Sequence, residues 1–395
     1  MTDLSEPKHI HIISFDIPCP ANYGGVIDVF YKVQALSEEG VRVHLHCYEY
    51  GRDRSERLES MCEEVHYYPR KISRSNLFKR RPYIVVSRNS DELLNRLKED
   101  NYPILFEGVH CCYYLARPEL KDRIRILRSH NIEHDYYLNL AESESNLFKR
   151  FYFQNESSKL KRFEEELEHA SSVAAISAPD ARYFENRFPE VPIQHVSAFH
   201  AHTEVLGLKG RGEYVLYHGA LSVSENYRAA MYLIESVFSK IKIPFVIAGS
   251  DAPMELRAAV DQYPHISLEN NVPTDRIEQL IREAHINVLP TFQATGIKLK
   301  LLSALYLGRH CLVNAPMVKG TGLEPLCHIA NSDAEMEKNV LELMREPYIP
   351  GSERKELLEH NFSNRATLRS LWPLLFGDQL PVRPHTLEYA KEICE

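Results

Sequence analysis

Residues 286–314 read INVLPTFQATGIKLKLLSALYLGRHCLVN. An apolar run of strand length leads into a turn containing Gly296, then a helix-length segment, then a second apolar run. That is the layout of a β-loop-α-β unit in a parallel sheet. Lys298 and Lys300 stand where the loop becomes the helix, and a helix start beside two cations is a place to hold a diphosphate. Residues two apart on a helix point about 200° away from each other, so if both lysines touch one phosphate group, Lys298 lies in the turn and Lys300 in the first helical turn. Beyond them Leu299, Leu301, Leu302, Leu305 and Leu307 make the helix apolar on nearly every side, which predicts burial against a sheet. A lysine heading a buried helix is costly unless it is paired or solvated in a cleft. Anion binding is therefore preferred over a solvated surface pair.

Working outward, the same alternation fills residues 214–314. EYVLYHGA, PFVIAG, HISL, HINVLP and RHCLVN are strand candidates, separated by helices at about 225–240, 254–262 and 274–283. The polar segment AHTEVLGLKGRGE, 201–213, reads as a linker. Before it, HIHIISF, the turn CPANYGG and a helix with Val29, Val33 and Leu36 at i, i+4, i+7 open a first βα series. Strand candidates follow at 41–47, 103–106, 124–127, 172–176 and 193–199, with a charged helical stretch at roughly 134–169. In VRVHLHC the alternation puts Arg42, His44 and His46 on one side, expected to be a solvated stripe and not a metal site. The expected fold is α/β, with two Rossmann-like domains facing across a cleft: 1–200, then 201–375, then a tail at 376–395 for which a return to the N-terminal domain is one option. The stretch Phe362–Phe376 is expected to pack across both domains.

Composition sets outer limits. The chain of 395 residues is long enough for two cores, and a formal charge of −8 argues against a general nucleic-acid binder, which needs a basic face. Acidic residues precede the first short apolar run, the wrong order for a signal peptide, and no apolar run approaches a membrane span. Eight cysteines contain no C-x-x-C, so neither a zinc site nor a disulfide framework is expected, and Cys111 and Cys112 read as small core residues. A reduced cytoplasmic chain is the simplest account, with peripheral contact at the inner membrane face as a further option.

Ligands of open α/β sheets bind beyond the carboxyl ends of the strands, and that is where the unusual residues of this chain collect. In the first half these are Asn22, Gly24, Gly25, Glu107, Gly108, His110, His130, Asn131, Glu133, Ser177 and Asp180. In the second they are Gly219, Ser222, Asn226, Gly249, Ser250, Asp251, Thr295, Gly296, Lys298 and Lys300. Two sheets with facing strand ends would gather them in one interdomain cleft. Each also has a plainer reading. Gly24 and Gly25 serve either a positive φ or close approach of a ligand to backbone. Asn226, Ser222 or Ser224 can cap the following helix, and His130 can be a hydrogen-bonded core histidine.

Taken in order, PANYGG at 20–25, RSHNIEHDYY at 128–137, AISAPD at 175–180, HGALSVSEN at 218–226 and GIKLKLLSALYLG at 296–308 resemble the GT-B glycosyltransferases of the family 4 type, over nearly the whole chain. The resemblance implies a nucleoside diphosphate sugar held mainly by the C-terminal domain and a saccharide or lipid-linked acceptor held mainly by the N-terminal one. It implies hexosyl transfer from a UDP- or GDP-sugar with retention, in cell-surface glycan synthesis, with no cofactor and no obligatory metal. The chain contains no Asp-x-Asp triplet, which fits. On this reading Lys298 and Lys300 neutralise the departing diphosphate, Gly219 and Ser222 let backbone approach it, and Asn226, Gly249, Thr295 and Gly296 complete the donor side. Gly24 and Gly25 lie against the sugar or acceptor. His130, Glu107 and Glu133 are the candidates for the reacting sugar, unranked.

Two departures bear on donor binding. GALSVSEN lacks the basic pair that often follows the first Gly of the second domain, and Thr295 and Ser303 replace two glutamates common around the Gly turn. They motivate a rival, a non-catalytic scaffold that keeps the architecture, beside a second rival, a nucleotide-sugar epimerase on the same fold. The hexapeptide SNLFKR occurs twice, at 75–80 and 145–150, without a longer repeat. For the first copy, contact with an anionic membrane or lipid-linked acceptor competes with a solvated surface loop, the preferred reading because scattered basic residues are common on surfaces.

Overall fold

The computed structural model describes residues 7–144, 146–292 and 298–381. Strands β1 (His9–Ser14), β2 (Arg42–Glu49), β3 (Glu64–Pro69), β4 (Ile104–Glu107), β5 (Arg125–Ser129), β6 (Ser172–Ala175) and β7 (Ile193–His195) form one sheet in the order β3-β2-β1-β4-β5-β6-β7. Strands β8 (Val215–Ala220), β9 (Phe245–Ser250), β10 (Ile266–Asn270), β11 (Ile286–Leu289), β12 (His310–Val313) and β13 (His328–Ile329) form a second, β10-β9-β8-β11-β12-β13. Every pairing is parallel. Helices cover both faces, so the central strands carry continuous buried runs such as Ile10, Ile12 and Ile13 in β1 and Ile286, Val288 and Leu289 in β11. Strand order reverses between β1 and β4 and between β8 and β11, and a crevice opens beyond the carboxyl ends at such points.

Outside residues 293–297, which are not among the described ones, the segment 286–314 folds as its pattern dictates. Lys298 is the N-cap and Leu299–Leu307 the helix, with Leu301, Leu302 and Leu305 fully buried between β11 and β12. The charged stretch at 134–169 is broken: helices Glu133–Ser143 and Leu147–Phe163 fold back on one another, and Asn146 caps the second by accepting from Phe148 N and Lys149 N. Strand β3 went unread because EVHYYP is a short edge strand that opens on Glu64 and ends on Pro69, with His66 between them.

The histidine stripe is a correction. His46 is fully buried, stacked between His11 and His66, and hydrogen-bonded to His11 (2.8 Å) and Tyr68 (2.9 Å). Asp100, 2.9 Å from His11, comes from a distant loop that no local alternation reveals.

The last described helix, Asn364–Phe376, carries Leu368, Leu371, Trp372 and Leu375 at i, i+3, i+4, i+7. This stripe packs on the helix Gly24–Glu38, in one core cluster with Ile10, Val29, Phe30 and Val33. Phe362 belongs to the core of the second sheet. The chain thus crosses back at 362–364, and residues 364–375, assigned by sequence to the C-terminal domain, complete the N-terminal core because their apolar face matches that helix. Leu380 is buried in the same cluster, and Asp378 pairs with Lys8 at 2.9 Å; residues 382–395 of the tail lie outside the described residues. The two crossings are bonded to each other, with His200 Nε2 donating to Phe362 O (2.8 Å) and Asn364 Nδ2 to His200 O (2.8 Å). No described helix is long and apolar enough to cross a membrane.

Candidate functional site

Between the two sets of strand ends lies a cleft of about 1140 Å³. Its N-terminal wall includes Tyr23, Gly24, Gly25, His130, Glu133 and Tyr136; its C-terminal wall includes His218, Gly219, Asn226, Gly249, Lys298 and Lys300.

On the C-terminal side Lys300 Nζ donates to Asn226 Oδ1 (2.7 Å) and Tyr217 Oη (3.2 Å), and lies 4.9 Å from the Tyr217 ring centre. Burial pushes its pKa down to about 8, against the opposing pull of Glu225. Lys298 pairs with Glu225 Oε2 at 3.4 Å, and Glu225 Oε1 also accepts from Thr291 Oγ1. Asn226 does not cap its helix: Ser224–Tyr232 begins after Val223 without a side-chain cap, and Asn226 Nδ2 ties the turn by donating to Ala220 O (3.0 Å). Gly219 makes room for this arrangement, since a Cβ there would meet the Asn226 side chain at 3.2 Å. Gly249 has a backbone reason, because a Cβ would fall 1.8 Å from Gly219 O on the neighbouring strand. Ser222 is exposed in the turn and is not among the residues that line the cleft. The turn is held closed by Asn226, leaving that side chain outside. Thr295 and Gly296 lie outside the described residues. Ser303 lines the cleft, donating to Leu299 O (3.1 Å) and accepting from His202 Nε2 (2.9 Å). His218, beside Lys300, is buried with no partner for Nε2 among the described residues; burial and the Lys300 charge push its pKa down to about 3.

On the N-terminal side Gly24 and Gly25 are the first residues of the helix Gly24–Glu38, which has neither a side-chain cap nor an acidic residue in its first turn. Neither glycine has a positive φ, so that reading falls. A Cβ on Gly24 would meet nothing within 4 Å, whereas one on Gly25 would lie 2.7 Å from Phe15 Cζ. Gly25 therefore accommodates Phe15, whose ring stands edge-on to His130 at 5.7 Å.

His130 lines the cleft above a buried charge network. Its Nε2 lies 3.0 Å from Glu107 Oε2. Glu107 Oε1 accepts from Lys32 Nζ (2.6 Å), which also donates to Asp28 Oδ2 (2.9 Å). Arg128 donates to both Asp28 oxygens, at 3.0 and 2.9 Å. Burial pushes Asp28 and Glu107 up, but Arg128 and Lys32 hold Asp28, and Lys32 and His130 hold Glu107, net below the usual carboxylate range. Asp28, Glu107 and His130 are close enough to share a metal ion, yet Lys32 Nζ already sits between the two carboxylates as their cation. Glu107 is fully buried and is not among the residues that line the cleft, which it meets through His130. Asp28 and Lys32 were missed because an i,i+4 acid–lysine pair on a helix resembles an ordinary surface pair, and its partners lie 75 and 100 residues away. Glu133, by contrast, lines the cleft, and burial pushes its carboxyl up to about 7 against a hydrogen bond from Asn131.

No family model matches the chain. An uncharacterized 44.6 kDa protein in the cps region of Klebsiella pneumoniae is 25% identical over 353 residues, 84% of this chain and 90% of that protein. The structure of Staphylococcus aureus TarM in complex with fondaparinux, α-GlcNAc-glycerol and UDP superposes with a TM-score of 0.64 at 10% identity, covering 93% of this chain and 100% of TarM. A glycosyltransferase from Rickettsia africae gives 0.62 at 9% identity over 94% and 98% of the two chains. Sucrose-phosphate synthase from Thermosynechococcus elongatus gives 0.60 at 13% over 93% and 95%. At these identities the likeness is one of architecture: two parallel-sheet α/β domains facing a cleft, the GT-B fold.

Proposed function

We propose that the protein is a GT-B glycosyltransferase of the family 4 type that moves a hexosyl unit, with retention, from a UDP- or GDP-sugar to a hydroxyl of a saccharide or lipid-linked acceptor in cell-surface glycan synthesis. The observation that carries the reading is Lys300, a half-buried cation at the head of a buried helix, with Lys298 beside it and the orphan nitrogen of His218 next to it. A desolvated lysine that, among the described residues, keeps two neutral oxygen partners and no tight carboxylate suits a ligand that brings its own negative charge. TarM's complex contains UDP, and the relative from a cps region supports a glycan role.

On this reading Lys298, Lys300 and the free N–H groups at the start of Leu299–Leu307 stabilise charge on the diphosphate as the bond to the anomeric carbon breaks. His130 contacts the reacting sugar, and Glu107 is a positioning residue that fixes its ring. Glu133 takes the proton from the acceptor hydroxyl, a role its pKa of about 7 suits at neutral pH. The acid-free helix start at Gly24 lies against sugar or acceptor. Lys32, already the cation between Asp28 and Glu107, leaves the reading without a resident metal there. The donor-side Thr295 and Gly296 and the cytoplasmic location remain part of the proposal.

The test is thermal stabilisation by UDP, GDP, ADP, CMP and dTDP and their common sugars, followed by product analysis with each hit. Stabilisation by at least one diphosphate and acceptor-dependent turnover support the reading. Turnover of the nucleotide sugar without acceptor points to an epimerase. No stabilisation by any ligand points to a scaffold, the reading that the replacement of a carboxylate by Ser303 favours.

A further inference from the structure

The two SNLFKR copies leave an apolar and basic surface that the cleft chemistry does not use. In the first, Leu77 and Phe78 are 36% and 89% exposed; in the second, Leu147 and Phe148 are 75% and 88% exposed, and Phe151 follows at 71%. Single exposed apolar residues need no explanation, but four large ones in two matched segments, with a fifth directly after the second, do. The segments are connected: Lys159 Nζ donates to Leu77 O (2.7 Å), and Glu156 Oε2 accepts from Tyr83 N (2.6 Å), which lays the first copy along the helix Leu147–Phe163. Phe148 precedes Lys159 by eleven residues, about three turns, so the two project within about 20° of one another and about 16 Å apart on that helix. Phe148 of the second copy therefore lies on the side of the helix along which the first copy runs.

The charge around them has one sign. Residues 70–82 hold six basic and no acidic residues in a chain of net charge −8. Arg74, Lys79, Arg80, Lys149 and Arg150 are exposed, and none forms an ion pair with a described residue. The helix Glu133–Ser143, which packs against Leu147–Phe163, presents Tyr136, Tyr137 and Leu140 to the cleft. The patch is thus built on the element that walls the cleft.

We propose that this surface docks on an anionic lipid bilayer, with Phe78, Leu147, Phe148 and Phe151 entering the headgroup boundary and Lys79, Arg80, Lys149 and Arg150 meeting the lipid phosphates. Aromatic residues flanked by unpaired cations are the chemistry of an interfacial anchor, and a basic patch on an acidic protein complements an anionic surface. On this proposal the first copy is a docking segment, where the sequence alone preferred a solvated surface loop. It does not depend on the glycosyltransferase reading, since vesicle binding is measured without turnover.

The test is co-sedimentation of the full chain with phosphatidylcholine vesicles, with and without phosphatidylglycerol. The wild-type protein is expected to bind only the anionic vesicles. F78S/F148S/F151S and K79Q/R80Q/K149Q/R150Q, all at exposed positions, are expected to keep the wild-type melting temperature and lose binding. Each basic residue near an anionic surface contributes about fivefold, so the quadruple change lowers partitioning by about two orders of magnitude or more. Failure of the wild type to bind anionic vesicles overturns the proposal. So does wild-type binding by the aromatic triple variant, or concentration-dependent dimerisation abolished by the same changes, which would make the surface an interface between copies.

Discussion

Lys300 carries a charge that can be removed within the range of an ordinary binding assay. With a pKa of about 8 in the free protein, it is protonated at pH 7 and largely neutral at pH 9. A bound diphosphate stabilises the ammonium and raises that pKa, so binding takes up a proton above pH 8. The sign follows: affinity is full below pH 8 and falls as pH rises through it. Between pH 7 and 9 the protonated fraction drops about tenfold, so the dissociation constant rises about tenfold, or about 1.4 kcal/mol. Phosphate groups titrate near pH 6 and add little over this interval. K300M removes the charge at similar length; loss of a charge-assisted hydrogen bond of about 1.5–3 kcal/mol weakens binding about 10- to 150-fold at pH 7 and flattens the pH dependence. Calorimetric titration of both proteins with the best diphosphate at pH 7, 8 and 9 measures this, and the variant cancels any titration of the nucleotide itself. A wild-type affinity unchanged from pH 7 to 9, or the same slope in K300M, refutes the assignment of Lys300 to the diphosphate.

Further outcomes are expected elsewhere in the molecule. E133Q is expected to lower kcat by about 10²–10⁴-fold and to remove the fall of kcat/KM below pH 7, with diphosphate affinity unchanged in calorimetry. E107A, which strips Lys32 of one of its two carboxylates, is expected to cost about 3–5 kcal/mol in urea unfolding. His200, His202 and His218 have pKa values pushed down by burial to about 4, 3 and 3. Their unfolded forms bind protons first, so stability is full above pH 6.5 and lost as pH falls below it. At pH 5 the loss is about 2 kcal/mol for each, read as a falling urea midpoint. G249A is expected to lower the melting temperature by driving β8 from β9, whereas G24A keeps the wild-type melting temperature and raises KM by intruding on the cleft.

Much of the architecture was legible because its signals are local. The segment 286–314 reads as strand, turn, buried helix and strand within one window; Lys298, expected in the turn if both lysines touch one phosphate, is the N-cap, and Lys300 lies in the first helical turn. What local signals did not show depends on partners far along the chain. His46 alternates like a surface residue, but His11 and Tyr68 seal and pair it, and Asp100 in turn pairs with His11. Glu107 follows a strand like a ligand-binding residue, yet Lys32 and His130 enclose it. Ser222 and Asn226 have the composition of helix caps, and only the position of Lys300 across the turn explains why Asn226 faces inward. The glycines divide for the same reason. Gly25, Gly219 and Gly249 yield space to Phe15, Asn226 and the Gly219 carbonyl, contacts that no local pattern shows, and of these four described glycines Gly24 alone has open space beside it.

The central claim is that Lys298 and Lys300 hold the diphosphate of a nucleotide sugar. Isothermal titration of wild type and K298A/K300A with UDP, GDP, ADP and dTDP at pH 7 tests it most directly, with circular dichroism to establish that the variant is folded. The account predicts saturable binding of at least one diphosphate by the wild type and its loss in the folded double variant. Equal binding by both proteins, or no binding of any diphosphate by the wild type, would contradict it.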